Sequence, residues 1–418
     1  MKKVEKLVIN GNKKLFGEVL VSGAKNASLP LMAISLLFQK GFELNNVPHL
    51  MDTKIMLKLL NDLGIKSDCS KQKIKFYGKP IKFEANDALV KKMRASILIL
   101  APLLQSKKKA VVPLPGGCAI GSRPIDLHIE VVKKLGARIE FKDGYLKASL
   151  SKEGFLGDVE ITFPFVSVGA TECAIMASVL ARGTTILNNV AKEPEIIDLG
   201  NCLIKAGADI QGLGKSKIVV KGVKELNPIS YSVISDRIEA GSFVIAAAIT
   251  KGEIVIKNVK SMFLHQFLEK IKKTGADVES FKNEIKITGS QRIKNVDIST
   301  EPYPGFPTDL QAQFMSLMCF SSGESIIREN IFENRFRHVP ELKKMGARIK
   351  IFGNKAIVNG IDELFPAKLE ATDLRASMSL ILACLATKGE SEIFDLEHLR
   401  RGYENIENKL TNLGADLN

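Results

Sequence analysis

The sequence predicts an α/β fold of six repeated units, with three units in each of two domains and with helices buried inside the units. Three observations lead to this prediction. A glycine that follows a helical pattern recurs about every 70 residues, and each unit contains a helical segment that is nearly apolar all round. The chain of 418 residues is 45% hydrophobic and 25% charged, which is typical of a globular protein with more than one core.

The recurring glycines mark corresponding points of the units. Each follows a polar-faced helical pattern and precedes Ala or Ile and a stretch of alternating, strand-like sequence. They are Gly64, Gly136, Gly207, Gly275, Gly346 and Gly414, at spacings of 72, 71, 68, 71 and 68 residues. Because glycine adopts a left-handed backbone without steric cost, we predict a helix C-cap at each position. The period exceeds the roughly 20 to 50 residues of a solenoid unit.

The first helix of each unit lacks a polar face. These helices are predicted within 27–38, 95–104, 173–181, 240–250, 311–320 and 376–386. A helix that is apolar all round must be buried, so the units are predicted to surround these helices.

Polar and cationic residues lie where these buried helices begin. They are Lys25 and Asn26, Arg94, 167–171, Arg237, Thr308 and Asp309, and 373–375. First turns usually favour Asp or Glu, so cations at these positions indicate binding of an anion. The alternative is that the cations merely lie on exposed first turns.

The charge balance is strongly basic, with 60 Lys and Arg against 46 Asp and Glu. This excess fits an anionic substrate, a polyanionic partner, or lysines scattered over solvated surfaces. The chain has no Trp and only five Tyr, and its aromatic residues do not interleave with arginines. Stacking platforms for bases need such a pattern, so we predict no nucleic-acid partner.

Membrane and metal sites are not predicted either. Uncharged runs stop at 14 residues, short of the roughly 18 that a membrane span needs. The basic N-terminus lacks the apolar segment of a secretory signal, and the six cysteines form no close pairs, so we expect a cytoplasmic protein with free thiols. The five histidines are not spaced as metal ligands, and we expect no metal and no other cofactor.

Cys118 differs from the other cysteines in its surroundings. It follows two glycines and precedes Arg123 by five residues, an open and electropositive setting that lowers a thiol pKa from about 8.5. Four of the other five cysteines lie in apolar helical segments, where cysteine is normally a small core residue. Cys118 is therefore the candidate reactive thiol.

Seven segments together resemble the enolpyruvyl transferase family, and within it the UDP-N-acetylglucosamine 1-carboxyvinyltransferases. They are 22–27, 115–128, 167–172, 304–311, 329–336, 371–377 and 401–404. The resemblance runs in order through essentially the whole chain. It implies an inside-out α/β fold of six βαβαββ repeats, three per domain. One domain is expected at 25–234, carrying the Cys118 loop, and the other at 1–24 and 235–418, with the active site in the cleft between them.

The resemblance also implies a reaction, in which the enolpyruvyl group of phosphoenolpyruvate is transferred to the 3′-hydroxyl of UDP-N-acetylglucosamine. Cys118 is the expected acid and the expected target of the epoxide inhibitor fosfomycin. The residues expected in catalysis are Cys118, Asp309, Lys25, Arg401 and Asp373. Those expected to bind substrate are Lys25, Asn26, Arg94, Arg123, Pro124, Ile125, Asp126, Leu127, Ser167, Val168, Gly169, Asp309, Ile331, Arg335 and Arg375. No obligate protein partner is expected.

One position departs from the family pattern. Some members carry a lysine where this chain has Phe165, so another cation must provide any contact to a diphosphate there. Two alternatives stay open. A sister enolpyruvyl transferase acts on shikimate 3-phosphate, but the Cys118 loop and the motif at 330–336 argue against it. A nucleic-acid-binding repeat protein would explain the charge but not the motifs.

Overall fold

The computed structural model describes residues 6–114 and 125–418, with Arg94 described by its backbone alone. Contacts within the chain divide it into two compact units. We call the described residues of 23–234 the central unit, and 6–22 together with 235–418 the terminal unit.

The described residues form helices and strands in regular alternation. The α-helices are α1 Lys25–Ala33, α2 Met51–Leu63, α3 Asp87–Lys92, α4 Leu100–Lys107, α5 Asp126–Lys134, α6 Val168–Ser178, α7 Pro194–Lys205, α8 Arg237–Thr250, α9 His265–Lys273, α10 Gln311–Met318, α11 Val339–Lys344, α12 Leu374–Ala386 and α13 Ile406–Asn412. Short 3₁₀-helices span Ile34–Leu37, Arg94–Ile99, Ser261–Leu264, Thr308–Leu310 and Leu399–Arg401. The strands are β1 Lys6–Asn10, β2 Phe16–Leu20, β3 Phe42–Asn45, β4 Ile65–Ser70, β5 Lys73–Gly78, β6 Lys109–Pro113, β7 Arg138–Lys142, β8 Tyr145–Ser149, β9 Val159–Thr162, β10 Thr184–Asn188, β11 Asp209–Gln211, β12 Lys217–Lys221, β13 Ser230–Ser232, β14 Glu253–Lys257, β15 Asp277–Ser280, β16 Glu284–Thr288, β17 Ile298–Ser299, β18 Glu324–Arg328, β19 Arg348–Phe352, β20 Lys355–Asn359, β21 Lys368–Glu370, β22 Glu390–Phe394 and β23 Asp416–Leu417.

The sheets share one pattern. An edge strand runs parallel to its neighbour, and each of the next two strands runs antiparallel to the strand before it. The four-stranded sheets have the orders β13-β3-β5-β4, β9-β10-β12-β11, β2-β14-β16-β15, β17-β18-β20-β19 and β21-β22-β1-β23. A further sheet, β6-β8-β7, has three strands, and a parallel bridge between Glu84 and Val111 stands where the edge strand would be. Where the two strands of a parallel pair follow each other along the chain, a helix connects them, as in β9-α6-β10. The predicted α/β fold of six repeats is confirmed.

Strands from distant parts of the chain complete three of these sheets. In the terminal unit, β1 lies between β22 and β23, and β2 pairs in parallel with β14. In the central unit, β13 pairs in parallel with β3. The first repeat of each unit therefore takes its edge strand from elsewhere in the sequence.

The six predicted cap glycines all adopt a left-handed backbone, with φ between +90° and +108°. Gly64 is the C-cap of α2, and each of the others lies two residues beyond the last residue of its helix, so the predicted left-handed glycine at each helix end is confirmed. The apolar helices are buried as predicted. Helix α8 is buried along its whole length, and α8, α10 and α12 pack together in the core of the terminal unit. Helices α4 and α6 pack together in the core of the central unit.

Four buried helices begin earlier than their apolar segments predict. Helix α1 begins at Lys25 rather than 27, and α6 begins at Val168 rather than 173. Helix α8 begins at Arg237 rather than 240, and α12 begins at Leu374 rather than 376. The carboxylates of Asp236 and Asp373 accept the first backbone N–H groups, which stabilises the extra residues. These two aspartates also occupy the backbone N–H groups that we expected to attract a bound anion. At α8 and α12, side chains must therefore provide that attraction. Among the described residues, no helix is both long and apolar enough to cross a membrane.

Candidate active site

Asp309 is the centre of a buried charge cluster in the terminal unit. Its carboxylate accepts a hydrogen bond from Nη2 of Arg335 and another, at 2.6 Å, from Nη2 of Arg375. The two arginine side chains are only 4% and 7% exposed, whereas the Asp309 side chain is 23% exposed. Two buried cations thus share one carboxylate that still reaches the surface.

Local structure brings these three residues together. Asp309 lies in the 3₁₀-turn that leads into α10, and Arg375 lies in the first turn of α12, which packs against α10. Arg335 lies in the segment between β18 and α11. A buried charge is costly unless it is paired, so the pairing with Asp309 explains how two arginines persist in this core.

Arg375 is held in its charged form. Burial is the largest single influence and would lower its pKa, but the charge of Asp309, its hydrogen bond to Arg375 and the nearby Tyr403 and Asp236 together raise the pKa above the ordinary range. Its guanidinium lies over the ring of Tyr403, with 5.8 Å between the guanidinium carbon and the ring centroid. Such a position adds a favourable cation–π contact.

Arg335 has unused capacity to donate hydrogen bonds. Its guanidinium carbon lies 5.3 Å from the centroid of the Phe332 ring. Its Nε is buried and has no hydrogen-bond partner among the described residues. A buried N–H without an acceptor is unfavourable, and an anionic group of a ligand would satisfy it.

Glu329 organises the segment that carries Ile331 and Arg335. Its buried carboxylate accepts hydrogen bonds from the hydroxyls of Thr300 and Thr308 and from the backbone N–H groups of Ile331 and Phe332, at 2.9 to 3.1 Å. Thr308 directly precedes Asp309, so one carboxylate fixes both the predicted substrate contact Ile331 and the turn of Asp309. Sequence reasoning missed this residue, although it opens the motif at 329–336.

Asp373 and Arg401 lie elsewhere in the terminal unit. The Asp373 carboxylate accepts the N–H groups of Arg375 and Ala376, so it caps α12. Burial lowers the pKa of neighbouring His338 to about 4. The negative charge of Asp373 acts to raise this pKa, and the positive charge of Arg335 acts to lower it further. Arg401 ends a short 3₁₀-helix and is half-buried. The roles expected for Asp373 and Arg401 stay predictions.

In the central unit, Lys25 and Asn26 open helix α1. Nζ of Lys25 lies 3.8 Å from Oδ2 of Asp52, and both side chains are largely buried. Arg94 begins the 3₁₀-helix Arg94–Ile99. These residues stand at helix N-termini, as the sequence predicts.

The first turns of α5 and α6 also hold predicted binding residues. The sets are Ile125, Asp126 and Leu127 at α5, and Ser167, Val168 and Gly169 at α6. The two helices pack together, and a β-carbon on Gly169 would lie 2.9 Å from Nε2 of His128 in α5. A larger residue at this position would require the His128 ring to move.

Cys118, Arg123 and Pro124 lie outside the described residues. The other five cysteines are free thiols, four of them buried. Burial raises the pKa of Cys173, Cys319 and Cys384 to about 12, and it also raises that of Cys202 and Cys69. No described group of three or more His, Cys, Asp and Glu residues could hold a metal ion.

Comparison with known proteins finds matches along the whole chain. Residues 9–410 match the family described as EPSP synthase (3-phosphoshikimate 1-carboxyvinyltransferase). Proteins named UDP-N-acetylglucosamine 1-carboxyvinyltransferase from Rickettsia felis and Geotalea uraniireducens are 50% and 49% identical, and each match covers 99% of this chain and 99% of the relative.

Solved structures show the same fold at lower identity. The enolpyruvyl transferase NikO from Streptomyces tendae superimposes with a TM-score of 0.87 at 22% identity, and EPSP synthase from Acinetobacter baumannii with 0.76 at 19%. Each covers 99% of both chains.

Proposed function

The chain belongs to the EPSP synthase family of enolpyruvyl transferases, and from this premise we propose its reaction. It transfers the enolpyruvyl group of phosphoenolpyruvate to the 3′-hydroxyl of UDP-N-acetylglucosamine and releases phosphate. This reaction is the first committed step of peptidoglycan precursor synthesis. The 50% identity to relatives named for this activity, over 99% of both chains, supports this acceptor over shikimate 3-phosphate.

The Asp309 cluster is the observation that carries the proposal. Arg335 and Arg375 each direct one Nη2 to Asp309, so each keeps further N–H donors for the carboxylate or phosphate of phosphoenolpyruvate. Nε of Arg335, which lacks an acceptor among the described residues, suits such an anion. The partly exposed carboxylate of Asp309 can then accept the proton of the sugar hydroxyl.

The proposed chemistry is addition followed by elimination. Asp309 takes the proton of the 3′-hydroxyl, the oxygen bonds to C2 of phosphoenolpyruvate, and the electron pair of the double bond accepts a proton at C3 from Cys118. The bond from C2 to the phosphate oxygen then breaks, and C3 loses a proton to restore the double bond. Cations stabilise the negative charge of the tetrahedral intermediate throughout.

The remaining predicted residues receive binding roles in this proposal. Lys25, Arg94, Arg123 and Arg401 provide positive charge for phosphoenolpyruvate and the departing phosphate, and Asp373 assists proton transfer or stabilises positive charge. The residues assigned to the UDP-sugar are Arg123, Pro124, Ile125, Asp126, Leu127, Ser167, Val168, Gly169 and Ile331. Asn26 is assigned to substrate binding without a choice of substrate. A cytoplasmic location remains part of the proposal.

Phosphate release by the purified protein tests the proposal. With phosphoenolpyruvate present, we expect release on addition of UDP-N-acetylglucosamine and none with shikimate 3-phosphate. Turnover with the shikimate compound alone would overturn the choice of acceptor, and no turnover with either compound would overturn the proposed reaction.

A further inference from the structure

The hydroxyl of Tyr403 takes part in a hydrogen-bond chain of defined direction. Oγ of Ser242 donates to the carbonyl of Ile238 at 2.9 Å, which uses its single proton. The Tyr403 hydroxyl, 2.9 Å from the same Oγ, must therefore be the donor in that contact. Nε2 of Gln313 in turn donates to the Tyr403 oxygen at 3.1 Å. The tyrosine thus links α8 to α10.

This chain ends at the backbone of Asp309. Nε2 of Gln313 also donates to the Asp309 carbonyl, at 3.0 Å. Arg375, whose guanidinium lies over the Tyr403 ring, points Nη1 at the tyrosine oxygen from 3.5 Å and Nη2 at Oδ2 of Asp309 from 2.6 Å. Tyr403 therefore contacts two of the groups that hold Asp309, Gln313 at its backbone and Arg375 at its carboxylate.

Burial makes these hydrogen bonds costly to lose. Tyr403 is 3% exposed, and Ser242 and Gln313 are fully buried. Hydrogen bonds in such surroundings are stronger than in water, and a member that loses its partner is costly. Without the tyrosine hydroxyl, the Gln313 amide would lose one of the contacts that orient it toward Asp309.

We propose that Tyr403 is a positioning residue for the enolpyruvyl transfer, acting on Asp309 through Gln313 and Arg375. The inference rests on the proposed function. A catalytic carboxylate must be held within a fraction of an ångström of its working position, and small displacements from remote changes reduce turnover strongly. The ring of Tyr403 supports Arg375, and its hydroxyl fixes the amide at the Asp309 backbone.

Tyr403→Phe tests this proposal because it keeps the ring and removes only the hydroxyl. We expect kcat for phosphate release from phosphoenolpyruvate and UDP-N-acetylglucosamine to fall about 10-fold, while the KM for phosphoenolpyruvate stays within about twofold. In an Asp309→Asn background, Tyr403→Phe should have no further effect on kcat, because the residue acts through that carboxylate. A purely structural role would add its effect in both backgrounds.

Tyr231→Phe is the matched control. Tyr231 donates its hydroxyl to Oδ1 of Asp198 at 2.7 Å in the central unit, so the same chemical change is made away from the cluster. It should keep kcat even where its melting temperature falls as much as that of Tyr403→Phe. Unchanged kcat in Tyr403→Phe, or an equal loss of kcat in Tyr231→Phe, would overturn this inference but not the proposed function. Absence of phosphate release by the unaltered protein would overturn the proposed function and this inference with it.

Discussion

Replacing Asp309 with asparagine should destabilise the terminal unit as well as slow the reaction. The substitution keeps the shape of the side chain but leaves Arg335 and Arg375, 4% and 7% exposed, facing a neutral amide. Removing one partner of a buried ion pair costs about 3 to 5 kcal/mol. Because the Asp309 side chain is 23% exposed, we expect the lower end of this range, about 3 kcal/mol.

Calorimetry can measure this loss. For a unit of about 200 residues, each kcal/mol lowers the melting temperature by roughly 2 to 4 °C, so the decrease should be roughly 6 to 12 °C. Asp416→Asn is the matched control in the same unit. Its carboxylate pairs with Lys13 at 2.8 Å, but the two side chains are 32% and 53% exposed. A surface pair of this kind contributes at most about 1 kcal/mol, so this variant should melt close to the unaltered protein.

Turnover gives the second measurement on the same protein. If Asp309 takes the proton of the sugar hydroxyl, its amide should reduce kcat by about 10² to 10⁴. The KM for UDP-N-acetylglucosamine should change much less, because the geometry is preserved. Normal turnover would remove Asp309 from the mechanism, and a melting temperature equal to that of Asp416→Asn would refute the energetic reasoning from the two buried arginines.

Three further predictions concern other parts of the molecule. Gly169→Ala places a β-carbon 2.9 Å from Nε2 of His128, so it should raise the KM for UDP-N-acetylglucosamine about 10-fold with little change in kcat. Removing the ring with His128→Ala in the same chain should relieve the effect. An unchanged KM in Gly169→Ala would contradict this prediction. Burial lowers the pKa of His338 to about 4 against 6.5 for a free histidine, so unfolded chains bind a proton that native chains exclude. Stability should therefore fall as the pH drops from 6.5 to 4, and calorimetry should find a shallower fall in His338→Gln. After treatment with fosfomycin, peptide mass spectrometry should find the label on Cys118. Cys118→Asp should resist the inhibitor yet keep turnover with a lower pH optimum. Label on Cys69 with Cys118 unmodified would disprove the assignment of Cys118 as the reactive thiol.

The repeat and its buried helices could be predicted from sequence because both are periodic. A cap glycine must recur where each helix ends, and a helix enclosed on all sides can carry few charges. The same logic failed at the helix starts. Arg237 and Arg375 interrupt the apolar pattern, so the predicted helices begin too late. Aspartate caps start both helices before these arginines, and Arg375 is also paired with Asp309.

Much of the candidate site could be recognised only through motifs. The segments with Asp309, Arg335 and Arg375 are separated by up to 66 residues, and composition does not show that one carboxylate receives both cations. Tyr403 and Gln313 were missed because their role depends on contacts between helices. The signal that could have found Gln313 is a polar amide inside an otherwise apolar helix.

The placement of β1 and β2 bears on how the chain can fold during its synthesis. Lys6 lies opposite Phe394, and Phe16 lies opposite Glu253. The ribosome delivers these two strands first, but their sheet partners emerge hundreds of residues later. The described residues of 23–234 all belong to one unit, which can collapse once residue 234 has been translated. Strand β2 can pair only after β14 has been translated, and β1 only after β22 and β23. This dependence on distant contacts favours slow folding of the terminal unit and protection by chaperones.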